Sequence, residues 1–253
     1  MPNLLEAQSI TKLYGMRPVL KGVSLQVTQG EFVCLLGANG AGKTTFLRIL
    51  ATLARPNSGT LHINGVDALK DPNLARAHLG VVSHHSLIYP DLSAIENLQF
   101  YGSLYDLPRE TVIGVRDRLS VRPALTQEGG TSSHIETVLR QVNLWTRATD
   151  PARTYSRGML QRLTIARAIL HDPPLLLLDE PYTGLDQASA ASLSGLLREV
   201  ALSGRAVVMT THEMGRGLEG VTRFVRVERG TLNAEPTVNT VGREANGELG
   251  MRI

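Results

Sequence analysis

The sequence predicts an α/β fold whose core is a parallel sheet. Three apolar runs have the length of buried strands, and each ends directly at residues that can carry chemistry. The runs are Phe32–Leu36, 175–178 and Ala206–Thr211. Because the carboxyl ends of parallel strands meet at one edge of an open sheet, we expect the residues that follow these runs to line one crevice.

The first run leads into a glycine-rich turn of the pattern G-x-x-x-x-G-K-T, and a helical pattern follows. Its glycines let backbone N–H groups converge on phosphate oxygens, and the helix N-terminus adds partial positive charge. Lys43 can reach the β- and γ-phosphates of a nucleotide, and the Thr44 hydroxyl can bind Mg²⁺. A ligand-free glycine-rich turn is the alternative, which this context disfavours. The predicted nucleotide-binding residues of this turn are Gly37, Ala38, Asn39, Gly40, Ala41, Gly42, Lys43, Thr44 and Thr45.

The other two runs end at carboxylates and a histidine. Asp179 is predicted to hold Mg²⁺ through water, and Glu180 to polarise an attacking water. His212 can donate a hydrogen bond to charge that develops on a γ-phosphate. A surface Asp-Glu pair is the alternative, and the four leucines that precede it argue against that alternative. ATP and Mg²⁺ are therefore the predicted cofactors.

Shorter strand patterns lie outside the core sheet, at residues 4–11, 23–27 and 61–63. They predict a small antiparallel sheet beside the nucleotide-binding strand. Tyr14 lies in a predicted turn between the first two of these strands. An exposed aromatic side chain there can stack on an adenine ring, although a lone tyrosine is more often a packing residue.

Helical patterns occupy the middle of the chain. A capping box of Ser93 and Glu96 opens a helix that runs to about residue 107. A second pattern covers residues 135–144, and a third covers residues 160–170 after Ser156 in the N-cap position. These patterns predict a helical subdomain inserted into the core fold.

Bulk composition is that of an ordinary globular protein, with 253 residues, 42% hydrophobic, 19% charged and a net charge of +3. This charge is too small to indicate a nucleic-acid partner, and none is expected. The single cysteine, Cys34, lies within an apolar strand and is interpreted as a small core residue. No apolar run approaches the roughly 18 residues of a membrane span, and no signal-peptide pattern is seen.

Taken in order along the chain, these motifs resemble the ATP-binding subunit of an ABC transporter over about residues 4–232. Tyr14 matches the adenine-stacking aromatic residue, residues 37–45 match the Walker A loop, and Glu180 matches the catalytic glutamate after the Walker B strand. Asp186 matches the D-loop, and His212 matches the switch histidine. The matching signature residues are Ser156, Arg157, Gly158 and Met159.

The resemblance implies a P-loop NTPase fold with a RecA-like parallel core sheet, a small antiparallel β subdomain and an inserted helical subdomain. The resemblance implies an ATP-binding domain at 1–233 and a flexible tail at 234–253. The domain would consist of a core lobe at about 1–84 and 172–233 and a helical lobe at about 85–171. The helical lobe would carry an insertion at about 114–133.

The resemblance also implies a mechanism for a pair of subunits that face each other head to tail. Ser156 and Gly158 of one subunit would contact the γ-phosphate held by Lys43 of the other, with Glu180 and His212 completing the catalytic set. Polytopic membrane subunits of an ABC transporter would contact the helical lobe. The chain would then be cytoplasmic and peripheral on the inner face of the cell membrane, most simply as a homodimer.

Within the signature motif the chain departs from the family pattern. The family usually carries Ser-Gly-Gly-Gln, whereas this chain has Arg157 in place of the first glycine and Met159 in place of the glutamine. The serine and the second glycine are retained, so we expect the motif to keep its function.

A second departure concerns the Q-loop, where a family glutamine touches Mg²⁺ or the attacking water. His84 and His85 occupy that place in this chain. Counting from residues 79–80 favours His84, whereas similarity to the Ser-His-Gln of heme exporters favours His85. A neutral imidazole can replace the amide as a hydrogen-bonding group.

The predicted function is that of an ATP-hydrolysing subunit that energises export. Short runs such as residues 96–101 resemble the heme exporter of cytochrome c maturation, and related drug and polysaccharide exporters carry similar runs. A soluble ABC ATPase, such as the iron–sulfur assembly type, is the alternative from a second class. A nucleotide-binding regulator without turnover is a third, which the intact Lys43, Asp179 and Glu180 disfavour.

Overall fold

The computed structural model describes residues 3–83, 85–105, 107, 134–212 and 218–234. The predicted insertion at about 114–133 and His84 lie outside the described residues, as does all but the first residue of the predicted tail.

Ten strands and six α-helices make up the described part of the chain. The strands are β1 (Asn3–Tyr14), β2 (Arg17–Thr28), β3 (Phe32–Leu36), β4 (Ser58–Ile63), β5 (Val66–Asp67), β6 (Leu79–Val82), β7 (Leu175–Asp179), β8 (Ala206–Thr211), β9 (Arg223–Glu228) and β10 (Thr231–Ala234). The α-helices are α1 (Lys43–Leu50), α2 (Pro72–Arg76), α3 (Ala94–Leu104), α4 (His134–Gln141), α5 (Arg157–Ile169) and α6 (Gln187–Leu202). Short 3₁₀ turns cover Trp145–Arg147 and Ala152–Thr154.

The predicted parallel core sheet is present, in the order β10-β9-β3-β8-β7-β6. Strands β3, β6, β7, β8 and β9 run parallel to their neighbours, and β10 pairs antiparallel with β9. In the registers of β8 with its two neighbours, Leu36 pairs with Thr211 and Asp179 pairs with Thr210. The carboxyl ends of the three chemistry-bearing strands therefore lie side by side.

The small antiparallel sheet is also present, in the order β2-β1-β4-β5. Strands β1 and β2 are each 12 residues long, and the predicted strands at 4–11 and 23–27 were too short. Tyr14 is the last residue of β1 and pairs with Arg17, so its predicted place within a turn was wrong. The parts of β1 and β2 that extend beyond the predicted strands consist of largely exposed residues that pair through their backbones. Such residues do not show the alternation of apolar and polar side chains from which strands were predicted.

Buried apolar side chains cover both faces of the core sheet. Along β3, Phe32, Cys34 and Leu36 pack toward helices α3 to α6, whereas Val33 and Leu35 pack toward α1 and the antiparallel sheet. All five residues are buried, as a strand covered on both faces requires. Burial raises the pKa of the Cys34 thiol to about 12, which agrees with its interpretation as a core residue.

Two predicted helix starts are defined by side-chain caps. The Ser93 Oγ accepts a hydrogen bond from the Glu96 N–H at 3.2 Å, and the Ser93 N–H donates to the Glu96 carboxylate at 2.8 Å. The Ser156 Oγ accepts from the Met159 N–H at 3.3 Å, so α5 begins directly after this cap and earlier than predicted. Helices α3, α4 and α5 fall within the range of the predicted helical lobe, whose boundaries stay a prediction.

Close packing around Gly80 of β6 provides a test of this fold. A Cβ at Gly80 would lie 2.3 Å from the Ala168 carbonyl oxygen and 2.3 Å from Leu176 Cδ2. We expect Gly80→Ala to lower the free energy of unfolding by about 1–3 kcal/mol through overpacking. Gly195 of α6 is the matched control, because a Cβ there has no neighbour within 4 Å and alanine favours a helix. Equal thermal unfolding midpoints for the two variants would contradict this packing.

Candidate active site

The turn between β3 and α1 has a backbone that requires glycine. Gly40 and Gly42 adopt φ values of +80° and +110°, in the left-handed region that other residues rarely adopt. A Cβ at Gly37 would lie 2.4 Å from the Val227 carbonyl oxygen of β9. The turn is therefore held against the sheet while it delivers the N-terminus of α1 to the sheet edge, where backbone N–H groups favour anions.

Lys43, the first residue of α1, is buried with 5% of its side chain exposed. Its Nζ donates to the carbonyl oxygens of Gly37 at 2.7 Å and Ala38 at 3.3 Å. The same ammonium lies 3.4 Å from Glu180 Oε1. These contacts hold a positive charge at the mouth of the turn, where a phosphate would compete for it.

Asp179 ends β7 next to the hydroxyl of Thr44. The Thr44 Oγ1 donates to Asp179 Oδ1 at 3.1 Å. Among the described residues, no group of three or more His, Cys, Asp or Glu side chains could hold a metal ion. Mg²⁺ is usually bound by one or two carboxylates together with substrate phosphates, and a hydroxyl beside one carboxylate fits that mode.

Glu180 follows in a left-handed conformation, with φ of 50°. Such a conformation is costly for a residue with a side chain and recurs at functional sites. Its Oε2 lies 2.8 Å from His212 Nδ1, while its Oε1 faces Lys43. A carboxylate accepts hydrogen bonds, so Nδ1 carries the proton in this contact. The acid is thus held between two cationic or donor groups.

Lys43, Thr44, Glu180 and His212 line one cavity of about 300 Å³, whereas Asp179 contacts Thr44 and does not itself line the cavity. Thr183 lines it as well, and the sequence analysis missed this residue. The sequence did give one indication of Thr183, because it is a hydroxyl-bearing residue that follows Asp179 and Glu180 by only a few positions. The lining residues are Asn39, Gly40, Gly42, Lys43, Thr44, Thr45, Glu180, Thr183 and His212.

The signature residues and Asp186 do not line this cavity; Gly158 and Asp186 both contact Ser189, and Arg157 packs on Gly184. A Cβ at Gly158 would lie 2.4 Å from Ser189 Oγ, and a Cβ at Gly184 would lie 2.3 Å from the Arg157 guanidinium carbon. The Asp186 Oδ1 caps α6 by accepting from the Ser189 N–H at 2.8 Å, and this bond lowers the pKa of Asp186. The predicted contact of the signature with a second copy stays a prediction.

Tyr14 and His85 also lie outside the lining of the cavity. Tyr14 is 52% exposed, and Lys12 Nζ lies 5.3 Å from the centroid of its ring. His85 is exposed, and its carbonyl oxygen accepts a hydrogen bond from Ser83 Oγ at 3.0 Å. Adenine stacking by Tyr14 and a Q-loop role for His85 remain predictions.

Comparison with known proteins identifies the family. The family model described as ABC transporter matches residues 20–183. The chain belongs to this family. It is 36% identical over 211 residues to the Nod factor export ATP-binding protein I of Ralstonia nicotianae, covering 83% of this chain and 60% of that protein. It is 33% identical to the linearmycin resistance ATP-binding protein LnrL of Bacillus subtilis, covering 83% of this chain and 62% of that protein.

A third relative, the daunorubicin resistance ATP-binding protein DrrA3 of Streptomyces coeruleorubidus, is 31% identical, covering 94% of this chain and 69% of that protein. The chain spans only about 60% of the length of the first two curated relatives. Among the described residues, no helix has both the length and the apolar character that crossing a bilayer requires.

Solved structures of ABC transporter ATP-binding subunits are also similar to this chain. An ATP-binding subunit of an ABC transporter superposes with a TM-score of 0.75 at 27% identity, covering 93% of this chain and 90% of that chain. The ATP-binding cassette MJ0796, in a dimeric post-hydrolysis state bound to ADP and Pi, gives a TM-score of 0.73 at 26% identity, covering 91% of this chain and 97% of that chain. The predicted P-loop NTPase fold is confirmed.

The position of Glu180 predicts the effect of removing its charge. We expect Glu180→Gln to lower ATP turnover by about 10²–10⁴-fold, the range for loss of a general base. Binding of ATP should be retained or tightened, because Lys43 loses a competing negative charge at 3.4 Å. Steady-state phosphate release and titration with a fluorescent ATP analogue measure the two effects. Glu199→Gln, at an exposed position of α6, is the control; a comparable loss of turnover in both variants would contradict the assignment.

Proposed function

We propose that this chain is the ATP-binding and ATP-hydrolysing subunit of an ABC exporter. The observation that carries the proposal is the meeting of five side chains at the edge of the core sheet, contributed by α1 and by the carboxyl ends of β7 and β8. They are Lys43, Thr44, Asp179, Glu180 and His212. A phosphate anchor paired with a base, beside a site that can hold a metal ion, provides the parts that phosphoryl transfer to water requires.

In the proposed reaction, the N–H groups of the glycine-rich turn and Lys43 bind the phosphates of ATP. Thr44 and Asp179 would hold Mg²⁺, and the ion would supply positive charge that offsets the negative charge of the phosphates. Glu180 orients the attacking water and accepts its proton. His212 holds this carboxylate in place, and its Nδ1 would have to leave Glu180 before donating to the γ-phosphate.

We propose that two copies of the chain complete each other's sites. Ser156 lies exposed at the start of α5, and Gly158 next to it is fixed against α6. A second copy could therefore present the Ser156 hydroxyl and the N-terminus of α5 to a γ-phosphate. The dimeric state of the ADP-bound MJ0796 cassette, 26% identical to this chain, supports such a pairing.

A membrane subunit is the proposed partner of the helical lobe. Large apolar side chains are exposed on α3 and on the segment before it, and we call them the aromatic patch. Tyr89 and Phe100 pack edge to face with ring centroids 5.0 Å apart. Clustered exposed apolar side chains mark interaction surfaces, and this patch suits an apolar segment of the partner. The patch consists of Leu87, Tyr89, Phe100, Leu104 and Tyr105.

Export is the proposed direction of transport. The relatives reported above are named for Nod factor export and for resistance to linearmycin and daunorubicin. Heme export for cytochrome c maturation is a narrower proposal that rests on short runs such as residues 96–101 and has no support among those relatives. With such a partner the chain would lie at the cytoplasmic face of the cell membrane.

The identity of the partner can be tested with the Glu180→Gln variant, purified from membranes in the presence of ATP. Co-purification of a polytopic membrane protein would support the proposal and name the transport system. Recovery of a wholly soluble complex would favour a soluble ABC ATPase, such as the iron–sulfur assembly type. Failure of the wild-type protein to bind ATP with its partner supplied would overturn the proposal.

The aromatic patch gives a separate prediction. Leu104 is 63% exposed, so Leu104→Glu should not disturb folding. We expect this variant to lower partner-stimulated ATP turnover about five-fold or more, the effect of roughly 1 kcal/mol at an interface, while basal turnover stays unchanged. Leu202→Glu on α6, at a residue 76% exposed, is the matched control. Equal stimulation of the two variants in reconstituted vesicles would argue against docking at this patch.

A further inference from the structure

Thr210 makes contacts that neither its sequence context nor the proposed reaction accounts for. It lies in β8 with no exposed surface. Its Oγ1 donates to Asp179 Oδ1 at 2.7 Å and accepts from the Glu180 N–H at 3.0 Å. One buried hydroxyl therefore contacts both consecutive acidic residues of the site.

We propose that Thr210 is a positioning residue that orients Asp179 and Glu180 toward the magnesium-bound nucleotide. This inference rests on the proposed function, since it assigns a role within the same site. Thr210 is fully buried and its hydroxyl is used on the two acids, so it acts on the site through them.

The hydrogen bond to Glu180 stabilises an unusual backbone. Strand β7 ends at Asp179, which is the last residue paired with β8, opposite Thr210 itself. Glu180 then turns into the left-handed region, and its N–H leaves the sheet ladder. The Thr210 hydroxyl gives this part-buried N–H an acceptor in place of the ladder carbonyl. The same turn directs the Glu180 side chain toward Lys43 and His212.

The hydrogen bond to Asp179 fixes the second acid. Asp179 Oδ1 accepts from Thr44 at 3.1 Å and from Thr210 at 2.7 Å. A threonine hydroxyl at the end of a phosphate-binding turn is the group that binds Mg²⁺, and Thr44 would then turn from Asp179 to the metal. Thr210 is buried and does not line the cavity, so its contact with Asp179 can persist. Groups that hold a metal-binding carboxylate in this way tune metal affinity.

Another buried threonine shows that such contacts are not simply a consequence of burial. The Thr164 Oγ1 of α5 donates to the Leu160 carbonyl oxygen at 2.8 Å, one turn earlier in its own helix. Thr164 thus satisfies its hydroxyl locally. Thr210 instead uses both its donor and its acceptor on residues 30 and 31 positions away in sequence.

Thr210→Val tests the proposal, because valine keeps the shape of threonine and removes the hydroxyl. We expect the Mg²⁺ concentration for half-maximal ATP binding to rise about ten-fold and the turnover number to fall about ten-fold or more. ATP binding in EDTA should be unchanged, because the phosphate-binding turn is untouched. Thr210→Ser retains the hydroxyl and should stay within about three-fold of wild type. Thr164→Val is the control for loss of a buried hydroxyl elsewhere and should leave the Mg²⁺ dependence unchanged.

Calorimetric titration with ATP, in EDTA and across a series of Mg²⁺ concentrations, gives these values without relying on turnover. Thr210→Ala, a second hydroxyl-free variant, carries the same expectation if Thr210→Val does not fold. A wild-type Mg²⁺ dependence in the hydroxyl-free variants would overturn the role of Thr210. So would a lowered unfolding midpoint with no change in Mg²⁺ dependence. Failure of the wild-type protein itself to bind ATP would instead overturn the proposed function.

Discussion

The buried charge of Lys43 is the constraint on which the rest of the site depends. A desolvated ammonium is costly unless it is paired and hydrogen-bonded. Here two carbonyl oxygens of the turn and the carboxylate of Glu180 meet that need. The carbonyls come from the chain directly after β3, and the carboxylate comes from the end of β7. In the core sheet β8 lies between β3 and β7 and brings the ends of these two strands close together. Burial of the Lys43 charge therefore depends on this strand order.

From this ion pair, a continuous series of hydrogen bonds runs across the sheet edge. Thr44 and Thr210 both donate to Asp179, Thr210 accepts from the backbone of Glu180, and His212 contacts the carboxylate of Glu180. Hydrogen-bonded polar networks rigidify a site when every member has a partner. Here Lys43 and Thr210 are buried, whereas Thr44 and His212 are exposed. The network links α1, β7 and β8. A displacement of β8 would therefore move Asp179 and Glu180 relative to Thr44 and Lys43 of α1.

The sequence predicted the parts of this structure that short-range patterns encode. Apolar runs located the strands β3, β7 and β8, and the caps at Ser93 and Ser156 located two helix starts. The hairpin ends of β1 and β2 were missed, because largely exposed residues there are held by backbone pairing. Thr210 could not be distinguished from a threonine that merely fills a strand, since its partners are set by the register of β7 with β8.

The packing of the signature motif explains which of its two glycines can be replaced. A Cβ at Gly158 would meet the side chain of Ser189 at 2.4 Å, so the second glycine is required by the contact between α5 and α6. Arg157, in place of the first glycine, is exposed and rests its guanidinium on Gly184, whose φ of +71° also favours glycine. The Arg157 guanidinium therefore fills the space that a side chain at position 184 would otherwise occupy. The departure from the family pattern falls where the fold leaves room for it.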